Sequence, residues 1–398
     1  MFANKYLDKN NREALIKSEP SKSVGIIVVI PCYYEPDILA TLDSLLNCQI
    51  PQSDVEVIIL INHSEISEEK IKSFNYYTKL KIENWIKANS SKRIQFYAVG
   101  PVEFSKKWAG AGLARKAGMD EAVIRFNSLK NENGIIISLD ADTLVDKNYL
   151  FEIEKYFKSH TKYVGATITF EHQTEGLEQK HLEGIKLYEK YMKYFKNALE
   201  FTGYPYPMFT VGSAFVVTAG AYVKRGGMNR RQAGEDFYFL QNLTQQGKVG
   251  EIKTTKVFPS ARLSDRVPFG TGPILQKWMN GEEDLAKTYN FRAFEDLSLF
   301  FAIRKNFFKV EKNRFIELMK DLPEPIQQFV KVDNFWLELN DLNQNCSTLT
   351  SFQTRFFQKF NAFKILKYLN FVHERFYEKE NIEKQIQSLK NVTKKMAT

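Results

Sequence analysis

The stretch GIIISLDADT, residues 134–143, decides how the rest of this chain is read. Ile135, Ile136 and Ile137 head a short apolar run of the kind that forms a strand covered on both faces, as in a parallel sheet. The run passes directly into Asp140-Ala141-Asp142. Residues two apart on a strand point the same way, so both carboxylates can face one place beyond the strand's carboxyl end. Two hard oxygen ligands there suit Mg²⁺ or Mn²⁺ held jointly with a diphosphate. The competing reading is a polar turn that merely ends the strand, and an Asp-x-Asp triplet alone does not choose between them.

Working outward, GIIVVI (25–30), VEVIILI (55–61) and IQFYAV (94–99) are runs of the same kind. Helical patterns lie between them at 36–47, 67–89 and 107–127. The first has Pro36 near its start, where a missing N–H costs nothing, and Ile38, Leu42, Leu45 and Leu46 along one face. Strands alternating with helices predict a doubly wound, mostly parallel α/β sheet with right-handed crossovers. Ligands in such sheets sit beyond the carboxyl ends of the strands, so the loops there are where chemistry is expected. Further strands are predicted at 163–170, 211–217 and 250–257, with an aromatic-rich helical stretch at 175–201. From about residue 283 the β pattern stops, and stripes such as Phe352, Phe356, Phe360 and Phe363 fall at helical spacing. The expected organisation is an N-terminal extension (1–23), an α/β catalytic domain (24–282) and a helical C-terminal region (283–398).

Composition narrows the classes. With 43% hydrophobic and 26% charged residues, the 398-residue chain is not a disordered protein. No apolar run reaches the ~18 residues of a spanning helix, and the polar start MFANKYLDKNNREALIK is not a secretory signal. Cys32, Cys48 and Cys346 have no metal-ligand spacing, so neither a disulfide framework nor a cysteine zinc site is expected, and a cytoplasmic setting fits. The net charge of +9 suits anionic partners without naming one. Its basic residues are scattered and no nucleic-acid module is present, so no nucleic acid is expected as partner. Residues 285–398 carry 19 Lys/Arg against 13 Asp/Glu and 16 of the 32 Phe. That combination reads first as a helical subdomain with Phe inside and Lys outside, and second as a peripheral contact with the inner face of an anionic membrane.

A second acidic pair stands at Gly234-Glu235-Asp236, before the helix-like FYFLQNLTQQGK. Helix capping and the helix dipole explain two carboxylates there without any function. The functional reading is that Asp236 faces the same cleft and takes a proton from an attacking hydroxyl. The first strand ends in Pro31-Cys32-Tyr33-Tyr34-Glu35 and the second in Asn62-His63-Ser64. His63 has no second His at metal spacing and reads as a polar loop residue.

In this order the pieces resemble the family 2 glycosyltransferases, which have the GT-A fold. IIVVIPCYYEPDILATLDSLL (26–46), VEVIILINHS (55–64), AGLARKAGMDEA (111–122), SLDADT, GGMN (226–229) and AGEDFYFLQNLTQQG (233–247) follow that family's motif order. The likeness spans about residues 24–250. It implies that Tyr33 stacks on a nucleotide base, with Pro31 and Glu35 shaping the pocket and Asn62 beside it. It also implies that Arg115 reaches the nucleotide, and that Asp140 and Asp142 hold ribose, metal and diphosphate. Asp236 would be the general base of an inverting transfer, with Glu235 beside it binding acceptor. Three positions depart from the pattern: Tyr34 and Lys116 replace Asn, and Asn62 replaces an Asp that accepts a base N–H. An amide oxygen still accepts such a bond, but an amide also donates. Past the core, Arg262 and Arg266 with Gly270-Thr271-Gly272 read either as a flap over a diphosphate or as a basic surface loop. The resemblance implies Mn²⁺ or Mg²⁺ as cofactor, a nucleotide-sugar donor and a glycan or lipid-linked acceptor. A retaining transferase or nucleotidyltransferase of the same fold, and a non-catalytic sugar- or anion-binding module, stay open at this point.

Overall fold

The computed structural model describes residues 1–397 except 12, 90, 231–233 and 265–269. Two compact units make up the chain, residues 1–177 with 210–276 and residues 178–209 with 277–398.

The first unit is built on strands β1 (Val24–Cys32), β2 (Asp54–Ser64), β3 (Ile94–Phe104), β4 (Ile135–Ser138), β5 (Leu144–Val145), β6 (Tyr163–Phe170), β7 (Phe215–Thr218) and β8 (Lys248–Phe258). They form one sheet in the order β3-β2-β1-β4-β7-β6-β8-β5. Its helices are α1 (Asn4–Asn10), α2 (Ile38–Leu46), α3 (Glu69–Ala88), α4 (Ala111–Ser128) and α5 (Tyr149–Ser159). After α6 (Gln179–Phe201), which belongs to the second unit, come α7 (Ala219–Arg225), α8 (Glu235–Leu243) and α9 (Thr271–Asn280). Ile26 through Ile30 of β1 are fully buried, as a strand with helices on both faces must be. This is the expected α/β architecture with a helical C-terminal region.

Winding fixes where the site lies. From β1 the chain goes out to β2 and β3 in parallel, then returns to put β4 parallel on β1's other side. The carboxyl ends of β1 and β4 therefore flank the point where the winding reverses, the place where such sheets bind ligands. Beyond β4 the sheet departs from the predicted pattern. β7 runs antiparallel to both β4 and β6, and the two-residue β5 pairs antiparallel with β8. β7 begins at Phe215 instead of 211, because the Gly212 carbonyl turns away from the ladder to accept from Ser138 and Arg115. β2 also runs on through Asn62 and His63 to Ser64, so His63 is a buried strand residue and not a loop residue.

The second unit is helical, adding α10 (Phe291–Ala302), α11 (Lys312–Lys320), α12 (Glu324–Val332), α13 (Phe335–Gln344), α14 (Leu349–Lys359), α15 (Ala362–Arg375) and α16 (Ile382–Ala397) to α6. A two-stranded ribbon, β9 (Lys287–Thr288) with β10 (Glu380–Asn381), joins them. Phe300, Phe301, Phe335, Phe356 and Phe360 are buried and pack ring on ring, with 5.2 Å between the centroids of Phe300 and Phe360. The Phe stripe does not continue on one helix. The Asn361 side chain accepts from the Phe363 and Lys364 N–H groups and starts α15, so α14 ends before Phe360. Among the described residues no helix is long and apolar enough to cross a membrane. Cys32, Cys48 and Cys346 are buried and form no disulfide with one another.

One ion pair locks α4 to the sheet. Arg125 on α4 meets the fully buried Glu56 of β2 with two nitrogens, Nη2 lying 2.6 Å from Oε1. Glu56→Ala strands the guanidinium in the interior, and loss of about 3–5 kcal/mol of stability is expected in urea unfolding. A loss under about 1 kcal/mol would show that the pair is solvent-screened.

Candidate functional site

The β4 run delivers Asp140 and Asp142 to the reversal point, and local hydrogen bonds hold them there. Leu139 N–H donates to the Val29 carbonyl at 3.1 Å and Thr143 N–H to the Asp140 carbonyl at 3.2 Å. Thr41 of α2 donates to the Ala141 carbonyl at 2.9 Å, and Gln173 donates to the Asp142 carbonyl at 2.9 Å. With the backbone so tied, the two carboxylates are held at the strand's carboxyl end.

Arg115 on α4, only 2% exposed, is the hub of the site. Its Nη2 donates to Asp140 Oδ1 at 2.7 Å and its Nε to Glu235 Oε1 at 3.2 Å. Its Nη1 donates to the Gly212 carbonyl at 3.1 Å and to Ser138 Oγ. Burial pulls the Arg115 pKa down, but Asp140 and Glu235 outweigh it and hold the group above its ordinary value. A Cβ at Gly212 would lie 2.8 Å from Nη2, so a side chain there would push the guanidinium from this position. One side chain thus joins the end of β4, the segment before β7 and the start of α8.

The acidic pair opens α8 after Gly234, which sits at φ +68. Glu235 is buried against Arg115. Asp236 Oδ1 accepts from the Phe237 N–H at 2.7 Å. Desolvation above all, then the Glu235 charge, pushes the Asp236 carboxyl up from the usual 3.8 to about 7, against the pull of Arg115. A carboxyl poised near neutrality can exchange a proton with a substrate hydroxyl.

A second guanidinium covers the other carboxylate. Arg262 Nη1 donates to Glu35 Oε1 at 2.7 Å, while Nη2 meets Glu35 Oε2 and lies 2.9 Å from Asp142 Oδ2. Glu35 is buried, and Arg262 keeps partial exposure. Burial lowers the Arg262 pKa, and the Glu35 bond and the Asp142 charge more than restore it. Arg266 lies outside the described residues.

At the ends of β1 and β2, Asn75 of α3 ties two backbone positions and the His63 ring together. Its Nδ2 donates to the Asn62 carbonyl at 2.9 Å and sits 3.4 Å from His63 Nδ1, while its Oδ1 accepts from the Tyr34 N–H at 3.0 Å. Tyr34 has φ +48, a left-handed conformation that Asn adopts readily and a bulky residue does not. Its ring rests on Phe74, 4.7 Å between centroids. Pro31 and Tyr33 stand partly exposed at the same end of β1. The Asn62 Oδ1 is buried and accepts no hydrogen bond among the described residues, and the same holds for Thr143 Oγ1 and Ser213 Oγ. Each such group costs about 1–3 kcal/mol unless something polar meets it.

The structure therefore gathers Asp140, Glu235, Asp236 and Arg115 into one cluster, and Asp142, Glu35 and Arg262 into another. Asp140 and Asp142 come from one triplet, which puts the clusters side by side. Asn75, Ser138, Gly212 and Gln173 were not singled out in the sequence. The available signal was a polar residue in an apolar setting: Asn75 on the buried face of α3 and Ser138 closing an isoleucine run. As a metal site, the donor set is two carboxylates with guanidinium counter-ions, and among the described residues no group of three or more His, Cys, Asp or Glu could hold an ion. That is too few for a preformed cage. It fits an ion of the Mg²⁺ type, which takes one or two carboxylates and completes its shell with substrate phosphate and water.

Residues 27–219 match the family model described as glycosyl transferase family 2. No curated protein matches the chain significantly. Among solved structures, S. aureus TarS residues 1–349 is similar at 11% identity, covering 84% of this chain and 92% of that one, with TM-score 0.41; a structure of the same fragment in complex with UDP gives the same values. A mannosyltransferase, PcManGT from Pyrobaculum calidifontis in complex with GDP-Man and Mn²⁺, is similar at 13% identity over 94% of this chain and 92% of that one, with TM-score 0.40. The family match begins in β1 and stops before the acidic pair of α8.

A carboxyl titrating near 7 is expected in ¹³C NMR of Asp-labelled protein, and its loss is expected in Asp236→Asn. Because the folded value lies above the usual 3.8, the native state binds the extra proton. This group's contribution to stability is then full below about pH 4 and is lost as the pH rises through about 7. If every Asp carboxyl titrates below 5, the desolvation argument for Asp236 fails.

Proposed function

We propose, from the match of residues 27–219 to the glycosyl transferase family 2 model, that the chain moves a sugar from a nucleoside-diphosphate donor to an acceptor hydroxyl with inversion at the anomeric carbon. The observation that carries this reading is the Arg115 bridge, which sets the Asp-x-Asp strand end beside the helix bearing Asp236. A donor site and a proton acceptor are the two things a single-displacement transfer requires.

In this reading the nucleotide lies over the ends of β1 and β2. Tyr33 stacks on the base, between walls that include Pro31, and the unpartnered Asn62 Oδ1 accepts a base N–H. Arg115 acts on the nucleotide by aiming Asp140 at the ribose. Glu35 anchors Arg262 beside Asp142, so that the guanidinium faces the diphosphate and stabilises charge as it develops on the leaving group. Arg266 is assigned to the same diphosphate from its place in the sequence. Asp142 with Asp140 would hold Mg²⁺ or Mn²⁺, which supplies further charge neutralisation for the leaving diphosphate.

The acceptor hydroxyl, on a glycan or a lipid-linked sugar, attacks the face opposite the diphosphate, and Asp236 takes its proton. Glu235 is held by Arg115 and keeps negative charge next to Asp236, which raises the affinity of Asp236 for that proton. The donor C–O bond breaks as the acceptor C–O bond forms, and the nucleoside diphosphate leaves with the bonding electron pair.

Thermal unfolding with UDP, GDP, CDP, ADP and TDP, each with Mn²⁺ and with EDTA, tests the donor site. A nucleotide at a hundred times its dissociation constant should stabilise the native state by about 2.7 kcal/mol. No shift with any of the five would sink the donor site and favour a non-catalytic module. Asp236→Asn should keep the shift while turnover drops by about 10²–10⁴-fold. Product NMR should show the inverted anomer, and retention would remove Asp236 as base.

A further inference from the structure

The N-terminal segment is tied along α4 by a series of side chains that the transfer reaction does not use. Ala3 N–H donates to Asn127 Oδ1 at 3.0 Å, and Asn127 Nδ2 donates to Asn4 Oδ1 at 2.9 Å. Leu15 and Ile16 N–H groups donate to the Glu121 carboxylate at 2.7 and 3.3 Å, and Arg125 donates to the Ser18 carbonyl at 2.8 Å. Between these ties sits a buried knot. The Tyr6 hydroxyl donates to Asp120 Oδ1 at 2.6 Å and accepts from Lys116 Nζ at 2.7 Å. Lys116 lies 3.2 Å from Asp120 Oδ2, and the Tyr222 hydroxyl donates to Asp120 Oδ1 at 2.9 Å.

The knot closes on the turn that leads to the acidic helix. Gly227, at φ +79, lies so close that a Cβ there would be 2.0 Å from the Tyr6 hydroxyl oxygen and 3.0 Å from Lys116 Nζ. The Gly227 N–H donates to the Tyr222 carbonyl at 2.9 Å. Further along the turn, Asn229 Nδ2 donates to the Glu235 carbonyl at 3.2 Å. A continuous path of contacts therefore runs from Tyr6 through residues 227–229 to the first residue of α8. Lys116 directly follows Arg115, so α4 presents the Glu235-binding guanidinium on one side and the knot about 100° round the helix.

We infer that residues 3–10 and 15–18 form a strap whose Tyr6 hydroxyl positions the 226–229 turn and, through it, the start of α8 with Glu235 and Asp236. Tyr6 is a positioning residue: it meets Asp120, Lys116, Tyr222 and the Gly227 turn, and it acts on the acidic helix through that turn. The inference rests on the reading of Asp236 as base, because only then does displacement of α8 alter turnover. It also accounts for Lys116: the position serves the strap, where a long cation reaching Asp120 and Tyr6 is required.

The test compares the full chain with Tyr6→Phe, which removes one oxygen atom, and with Gly227→Ala. In hydrogen exchange, Tyr6→Phe should speed exchange in peptides covering 226–243 about tenfold, with β1 and β4 unchanged. The thermal shift given by the best-binding nucleoside diphosphate should stay as in the parent. Turnover should fall about tenfold at unchanged donor KM, as expected when a base is slightly misplaced. Gly227→Ala should lower the Tm less in a Tyr6→Ala background than alone, which isolates the contact from the cost of its φ. Unchanged exchange over 226–243, or a rise in donor KM with kcat intact, would overturn the strap. Should no nucleotide bind the parent, the transferase reading fails, while the exchange and double-mutant results still decide whether Tyr6 holds the turn.

Discussion

A buried guanidinium sets the terms for everything around it. Arg115 cannot be desolvated alone, since the cost of burying an unpaired charge exceeds what packing returns. It is buried here because Asp140 and Glu235 meet it from different elements, with the Gly212 carbonyl and Ser138 taking a further nitrogen. Each partner constrains its own segment. Gly212 lacks a side chain, the chain before β7 leaves the sheet, and α8 starts where Glu235 can reach. Loss of the guanidinium would leave two carboxylates and a carbonyl facing one another.

Charge balance then separates the four carboxylates. Asp140 and Glu235 share Arg115, and Asp142 shares Arg262 with Glu35. Asp236 accepts a backbone N–H and, among the described residues, bonds to no guanidinium. Desolvation and the neighbouring Glu235 charge are thus less fully offset there, and the Asp236 carboxyl is lifted to about 7. The acid–base character of the site comes from which carboxylate bonds a guanidinium among the described residues, and not from any difference in residue type.

The three departures from the family pattern have three different physical accounts. Tyr34 takes a left-handed conformation suited to Asn, and Asn75 and Phe74 hold it there from α3. Asn62 keeps an acceptor at the position, buried and unmatched within the described protein. Lys116 belongs to the knot with Tyr6 and Asp120. Substitutions that look alike in a motif alignment therefore act on backbone strain, on ligand chemistry and on chain packing respectively.

The sequence by itself determined the strands, apart from the two-residue β5, β9 and β10, and most helices, because isoleucine- and valine-rich runs and helical stripes are local patterns that burial must satisfy. It also supplied the acidic pairs and the order of motifs. The C-terminal region was legible as helical from its Phe spacing, though not the break at Asn361, where one side-chain cap overrides an apolar stripe. Local pattern could not reveal the antiparallel turn of β7, the bond from Arg115 to Glu235 across 120 residues of chain, or Asn75 as the tie between β1 and β2. Those depend on which elements come together in space. A carboxylate's proton affinity, the room at a glycine and a lysine's purpose follow from neighbours that only the tertiary structure brings within reach.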